Sequence, residues 1–524
     1  MIEHFKKFFS LGFFPEELPP EFGPYGITYE VADDLWGKID NICDDNIPTY
    51  PTHLSFPKSE YVRRDFHFLN PCRFARLSHT ILENWDEIKG HTDKSKFSTS
   101  NLDLSESDSQ IFQHDPFSKS INERISKSTS KQYVLYIDIE NFYPSIYTHS
   151  IDWALNQGNK RHHSQFNNRE HLGIALDQDA RRAQHNETNG IVVGVVTSRV
   201  ISEIISCYFD QILTNQFQDI EGIRYVDDYH IFLSSREEIE KVQVALQKVL
   251  SHFKLKFNET KISVDSLPEV YSDYWTIYFD DHESLIRHGF GNKKELIRRF
   301  SKAFELIKAN PENPSLRYFF RVLEDHEILK KFELKVVIEL IHHSLKSDPR
   351  SISRACLALS KNGLINEDLH EHLEQFEPTL VRLSDLSYSF EVVWILYLFL
   401  HGNRSIPSKV VENIISSGDI TCISYLFLCW NRGLVKDEEM DLIKIHIIEK
   451  SEKFENIWKS PLWILAYEDQ RQGWDLFEEI EIPNEFQIFL DHGIEFLKGE
   501  PNDNPDDIRI SRYEIEINDN EPPF

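Results

Sequence analysis

Asp138 ends an apolar run, YVLYIDI over 133–139, and Asp227 and Asp228 sit in a second apolar setting as YVDD over 225–228. Carboxylates at the rim of a buried sheet are costly unless something neutralises them. Divalent cations do so, and hard ions such as Mg2+ prefer carboxylate oxygens. Two such ions held side by side are what phosphoryl transfer to a hydroxyl uses: one activates the attacking oxygen, the other holds the leaving phosphates. A strand ending in Asp is also an ordinary turn, and YVDD alone is a four-residue coincidence. The chemistry therefore depends on the elements that bring the two sites together.

Those elements follow from periodicity. Tyr133–Ile139 reads as a buried strand, with a helix after Pro144 running to Leu155. Residues 158–190 are polar and rich in His and Asn, a connecting excursion. Apolar residues at Ile201, Ile204, Ile205, Tyr208, Phe209 and Ile212 have helical spacing, predicting a helix over 198–213. Ile223–Val226 and His230–Leu233 predict a hairpin around Asp227-Asp228. A helix over 236–252 and a strand over 255–264 complete a β-α-β-β-α-β order. This ferredoxin-like layout places the end of the first strand beside the hairpin tip.

Around this unit the chain changes character. Residues 11–24, LGFFPEELPPEFGP, are too proline-rich for a long helix and predict an extended segment on a domain surface. Residues 91–132 are rich in Ser, Asp and Lys and read as a loop or weakly ordered insertion. Residues 290–500 alternate helical patterns with turn signals, predicting stacked helices, and the tail after 500 is acidic. The expected division is an N-terminal extension over 1–50, a catalytic unit over 51–270, a helical domain over 285–500 and a tail over 501–524. The expected class is α+β.

Composition limits the partners. With 524 residues the chain holds several domains, and 40% hydrophobic residues suffice for sizeable cores. A net charge of −29 excludes a simple basic nucleic-acid binder. Residues 56–80 are nevertheless locally basic through Lys58, Arg63, Arg64, Arg73 and Arg76, enough for a small channel. The six cysteines, at 43, 72, 207, 356, 422 and 429, form no CxxC pair and read as reduced core residues. The start MIEHFKKFFS has no signal-peptide pattern, and the longest apolar run, 392–400, is too short to span a bilayer. A cytoplasmic location is expected, with no membrane partner. His162, His163, His171 and His185 match no zinc spacing, and neither do His342 and His343.

Several segments together resemble reverse transcriptases. DIENFY (138–143) resembles motif A, GIVVGVVTSR (190–199) motif B, YVDD (225–228) motif C and NETK (258–261) the end of motif D; Pro57-Lys58, Arg63-Arg64 and Asn70-Pro71 resemble the finger motifs. FFPEELPPEF (13–22), NFYPSIYTHSIDWAL (141–155) and the helical C-terminal half are similar to bacterial abortive-infection and defence-associated members. The similarity spans roughly residues 50–265. It implies right-hand polymerase fingers and a ferredoxin-like palm, followed by an all-α domain.

The resemblance also implies roles. Asp138 and Asp227 would bridge two Mg2+ ions, with Mn2+ as a substitute, Asp228 tuning the pair and the Ile139 carbonyl a further ligand. Tyr143 would abut the sugar 2′ position and select dNTPs; its plain alternative is packing under the sheet. Gly194 would let backbone approach the templating base pair. The usual Pro-Gln before that glycine is Val192-Val193 here, which removes a side-chain hydrogen bond from template or nucleotide. Lys261 would protonate pyrophosphate, or be an ordinary surface lysine. Lys58, Arg63 and Arg64 would clamp the triphosphate, but neighbours on a strand point to opposite faces, so only one of the two arginines reaches it.

Implied partners are dNTPs and nucleic acid, including a DNA product. Relatives differ in using a structured noncoding RNA, a protein hydroxyl as primer, or homo-oligomers. Tyr388, Tyr397, Tyr425, Tyr467 and Tyr513 lie in the C-terminal half and nothing in the sequence selects one as primer; Tyr513, on the acidic tail, is the one expected to be freest to move. Two other readings are a polymerase fold serving only as a nucleic-acid-binding module for a helical effector, and an untemplated terminal transferase.

Overall fold

The computed structural model describes residues 1–42, 47–59, 62–100, 102–113, 117–161, 168–269, 274–477 and 480–498. Cys43, His162, His163 and the acidic tail with Tyr513 lie outside the described residues.

The chain begins with helix α1, Ile2–Gly12. Residues 11–24 then run through the interior, not over a surface: Phe13, Phe14, Leu18 and Phe22 are all buried. Prolines exclude a helix there, as expected, but they do not say which side of a domain the segment takes. The aromatic rings decide that, since each large side chain removed from water is worth about 1.5–3 kcal/mol. Phe13 packs against Phe74 and Phe496, and Phe14 against Phe68. The indole of Trp394 donates to the Glu17 carbonyl at 2.7 Å. The segment ends as strand β1, Phe22–Tyr25, paired antiparallel with a strand near the far end of the chain, Glu495–Leu497.

Strands β2, Thr52–Pro57, and β3, Arg63–Phe68, form an antiparallel hairpin with Thr52 opposite Phe68 and Pro57 opposite Arg63. Helix α2, Pro71–Glu83, follows; Asn70 caps it by accepting from the Cys72 amide, and Pro71 occupies the first turn, where no donor is needed.

The stretch 91–132 is more ordered than its composition suggests. It contains helix α3, Phe117–Ser128, and Ser98 forms a parallel bridge with Arg224. Its serines are used as internal hydrogen-bond donors, so a polar composition here reflects buried polar partners as well as solvent.

The central sheet holds β4, Tyr133–Asp138; β5, Glu221–Tyr225; β6, Asp228–Leu233; and β7, Ser263–Ser266. Its order is β5-β6-β4-β7, all neighbours antiparallel, which is the ferredoxin-like arrangement. Two helices cross between the strands: α4, Val196–Gln216, and α5, Arg236–His252. Leu135, Ile137, Tyr229, Ile231 and Leu233 join the core with these helices. By the two-residue period, Tyr136, Asp138, Asp228 and His230 lie on the opposite face. The last strand begins later than the sequence pattern suggests. The amide of Glu140 donates to the Lys256 carbonyl, and a tight turn over Glu259–Lys261 then precedes β7.

From Lys293 to Asp491 the described elements are all helices. Helices α6, Ser389–His401, and α7, Ile420–Asn431, are buried along nearly their whole length. They support the β2–β3 hairpin directly: the Ser55 amide donates to Ser389 Oγ, and Thr421 Oγ1 donates to the His53 carbonyl. One hydrophobic core runs from α1 through the sheet into these helices. The five described cysteines are buried. Among the described residues no helix is long and apolar enough to cross a membrane.

Candidate active site

Asp138 is the last residue of β4, and its direct partner across the ladder is Asp228, the first residue of β6. Tyr225 also pairs with Asp228, so Val226 and Asp227 form the hairpin tip between them. Val226 has φ +55°, a left-handed conformation that is costly for a β-branched residue. Beyond β4 the 256–258 segment is held by the Glu140 amide donating to Lys256 and the Asn258 amide donating to the Asp138 carbonyl. Strand alternation then turns the Ile139 carbonyl the other way, toward the hairpin.

Three carboxylates thus share one sheet edge, and their electrostatics show the strain. Desolvation, then repulsion from Asp138, raises the Asp227 carboxyl to about 6. Desolvation and repulsion from Asp227 and Asp138 raise Asp228 to about 7. Lys261 Nζ donates to Asp138 Oδ2 at 2.9 Å. Burial opposes the lysine's charge, but this bond and the attraction of Asp138 and Asp228 outweigh it and raise its pKa.

One lysine does not neutralise three carboxylates, so the edge is suited to further cations. Among the described residues no group of three or more His, Cys, Asp or Glu side chains is placed to hold a metal ion by itself. Mg2+ needs fewer protein ligands than that: one or two carboxylates, with water and substrate phosphates completing its shell. Asp138 and Asp227, with the Ile139 carbonyl, are the groups present that fit such an ion.

The other expected residues fall into two sets. Tyr143 lies at the site: its hydroxyl accepts from Ser202 Oγ at 3.2 Å, and burial, with the Asp227 charge adding, pushes it up to about 12. Arg64 is exposed on β3 and its positive field reaches Asp227. Lys58 lies just past β2, where its amide donates to the Val62 carbonyl.

Arg63 faces away. Its guanidinium grips both carboxylate oxygens of Glu391 on α6, donates to Ser55 Oγ and the Ser55 carbonyl, and lies 4.1 Å over the Tyr388 ring. Strand alternation separates the pair as expected, and the helices take Arg63. Gly194 has φ +106°, and a Cβ there would meet Pro15 Cγ at 2.8 Å. The close approach that the glycine permits here is that of the N-terminal segment. The Val193 carbonyl accepts from the His67 amide at 3.0 Å, tying this loop to β3 through backbone alone.

Arg224, directly before the YVDD segment and in none of the motifs, is completely buried. An arginine inside an apolar strand, with Glu203 and Asp210 two turns apart in an apolar helix, was the available signal.

The βαββαβ sheet thus carries carboxylates on its first strand's end and on the adjacent hairpin tip. Residues 88–284 match the reverse transcriptase (RNA-dependent DNA polymerase) family model. The chain carries this domain and is an enzyme of the RNA-directed DNA polymerase class. No curated protein matches it. Among solved structures, it is similar to telomerase from Candida albicans in complex with a TWJ fragment of telomeric RNA, at 14% identity over 69% of this chain and 67% of that chain, TM-score 0.31. It is also similar to apo telomerase from Candida tropicalis, at 10% identity over 83% of this chain and 74% of that chain, TM-score 0.34.

Proposed function

We propose that the chain adds deoxynucleotides to a primer by two-metal phosphoryl transfer and that it acts in antiphage defence by abortive infection. The observation that carries the chemistry is the pairing of Asp138 with Asp228 across the ladder, with Asp227 at the adjoining tip. Asp138 and Asp227 hold the ions and Asp228 tunes them. Bound there, Mg2+ supplies activation of the attacking hydroxyl and charge on the triphosphate. Arg64 attracts the triphosphate, Lys58 stands at the same end of the hairpin, and Lys261 gives a proton to departing pyrophosphate. Tyr143 excludes a ribose 2′-hydroxyl. In this reading 51–270 is fingers and palm, 285–500 a helical body behind them, and 1–50 a strap joining the two. The defence role is supported by the resemblance over 13–22 and 141–155.

Purified protein should incorporate labelled dNTPs in Mg2+, and Asp227→Asn should not. If wild type incorporates nothing while phage resistance persists in an Asp227→Asn strain, the fold serves instead as a binding module for the helical body. Sequencing the product, before and after protease, separates templated from untemplated and protein-primed synthesis.

A further inference from the structure

The catalytic hairpin has a support that no motif describes. Arg224 lies on β5, two residues before its tip, and has no exposed surface. Its Nε donates to both carboxylate oxygens of Asp210, at 3.1 and 2.9 Å. Its Nη1 donates to Glu203 Oε2 at 3.0 Å and its Nη2 to Glu203 Oε1 at 2.8 Å. Nη2 also donates to Asp210 Oδ2 at 2.8 Å and to Cys207 Sγ at 3.4 Å, and Nη1 donates to the Val226 carbonyl at 2.9 Å. That carbonyl belongs to the peptide that carries the Asp227 amide. The Val226 amide donates to Ser100 Oγ at 3.2 Å, so the peptides on both sides of the left-handed residue are held.

The network is anchored outside the sheet. Glu203 and Asp210 lie seven residues apart on α4, on one face. Ser95 Oγ donates to Asp210 at 2.6 Å, and Ser98 Oγ donates to Glu203. The Arg224 amide donates to the Phe97 carbonyl, and the Thr99 amide donates to the Arg224 carbonyl.

Burying one guanidinium with two carboxylates is an inefficient way to hold a strand on a helix, because apolar side chains of equal volume do as well or better. What apolar side chains cannot do is hold a carbonyl at a fixed angle. A rigid fork of donors can. Val226 at φ +55° also needs outside support, since a β-branched residue holds this left-handed conformation only where its surroundings fix it.

We infer that Arg224 is a positioning residue that aims Asp227 by holding the Val226 carbonyl, with Glu203 and Asp210 as its mount. The inference rests on the proposed role of Asp227 as a metal-holding carboxylate. Loss of the fork then weakens the metal-dependent step more than nucleotide binding, because Arg64, Lys58 and Tyr143 are untouched.

The decisive variant is charge-compensated: Arg224→Met with Glu203→Gln and Asp210→Asn, which leaves no lone buried charge. Dye-monitored melting is followed by steady-state dNTP incorporation at varied Mg2+ and varied dNTP. The variant is expected to fold and melt near wild type. Its kcat should fall about 10²-fold, as for sub-ångström to 1 Å misplacement of a catalytic group. The Mg2+ concentration for half-maximal rate should rise at least about tenfold, in line with loss of a group that orients a ligand. KM for dNTP should stay within about twofold.

A variant that folds with wild-type kcat and Mg2+ dependence overturns the inference, because the network would then be a strut. A variant that fails to fold also overturns it, because the network would then be needed for stability rather than aim. Equal losses in kcat and nucleotide affinity, with Mg2+ dependence unchanged, would count the same way. Wild type without any Mg2+-dependent incorporation would instead defeat the proposed function itself.

Discussion

Arg63 and Glu391 lie 328 positions apart and meet in a two-pronged ion pair, with Nη2 to Oε2 at 2.8 Å. The carboxylate has no exposed surface, and the arginine side chain is 16% exposed. The pair fixes the β2–β3 hairpin onto α6. On a strand, a clamped Arg63 turns Arg64 to the other face, where the field of Arg64 reaches Asp227. Glu391→Ala is therefore expected to destabilise the protein by about 3–5 kcal/mol, because it strands a poorly solvated arginine. Glu391→Gln should lose less. Urea unfolding measures the first effect. A rise in KM for dNTP, with kcat less affected, would show the second consequence, a displaced Arg64.

Asp227 should trade stability for function. Its carboxyl is raised to about 6, so at pH 8 the folded chain holds a charge that the unfolded chain, with a carboxyl near 3.8, carries more easily. Stability from this group is present at low pH and lost as pH rises from about 4 through 6. Asp227→Asn removes that penalty. Without metal at pH 8 its melting temperature should equal or exceed that of wild type, with a gain of about 1–2 kcal/mol after allowance for solvent screening. Millimolar Mg2+ should raise the wild-type melting temperature by mass action and leave Asp227→Asn unchanged. A melting temperature well below wild type in metal-free buffer would contradict this.

Tyr143 is expected to govern sugar choice. Its ring is held beside the carboxylates by the Ser202 hydroxyl. Tyr143→Ala should raise rNTP incorporation relative to dNTP by about 10-fold or more, read as the ratio of kcat/KM values for the two sugars. An unchanged ratio would leave Tyr143 as packing alone.

His67 predicts an acid-side loss of stability. Burial lowers its imidazole to about 4 from 6.5, with repulsion from His53 adding and Asp65 opposing. Its Nδ1 is buried without a partner. Between these values the unfolded chain binds the proton and the folded chain does not. The contribution is complete above about pH 6.5 and is lost as pH falls to 4. The sum is about 2–3 kcal/mol. His67→Phe keeps the backbone bond to Val193, so melting curves of wild type and variant should be close at pH 7.5 and separate at pH 4.5, with wild type falling further.

The amino-acid sequence by itself determined the sheet and its acidic edge. Apolar runs ending in Asp138 and flanking Asp227-Asp228 have a period of two, and the helix over 236–252 has a period of 3.6, so local pattern sufficed for identity, order and side. Even the opposite facing of Arg63 and Arg64 followed from pleating. Only the tertiary structure decided which of the two the helices would take, that the proline-rich segment 11–24 is buried against Gly194, and that Ser95, Ser98 and Ser100 support a buried arginine. The reason is physical: periodicity reports how a segment meets its own neighbours in the chain. A serine that satisfies a buried carboxylate reads the same as one in solvent, and a phenylalanine does not name the surface that will cover it. Those choices are made by partners about a hundred to nearly five hundred residues away.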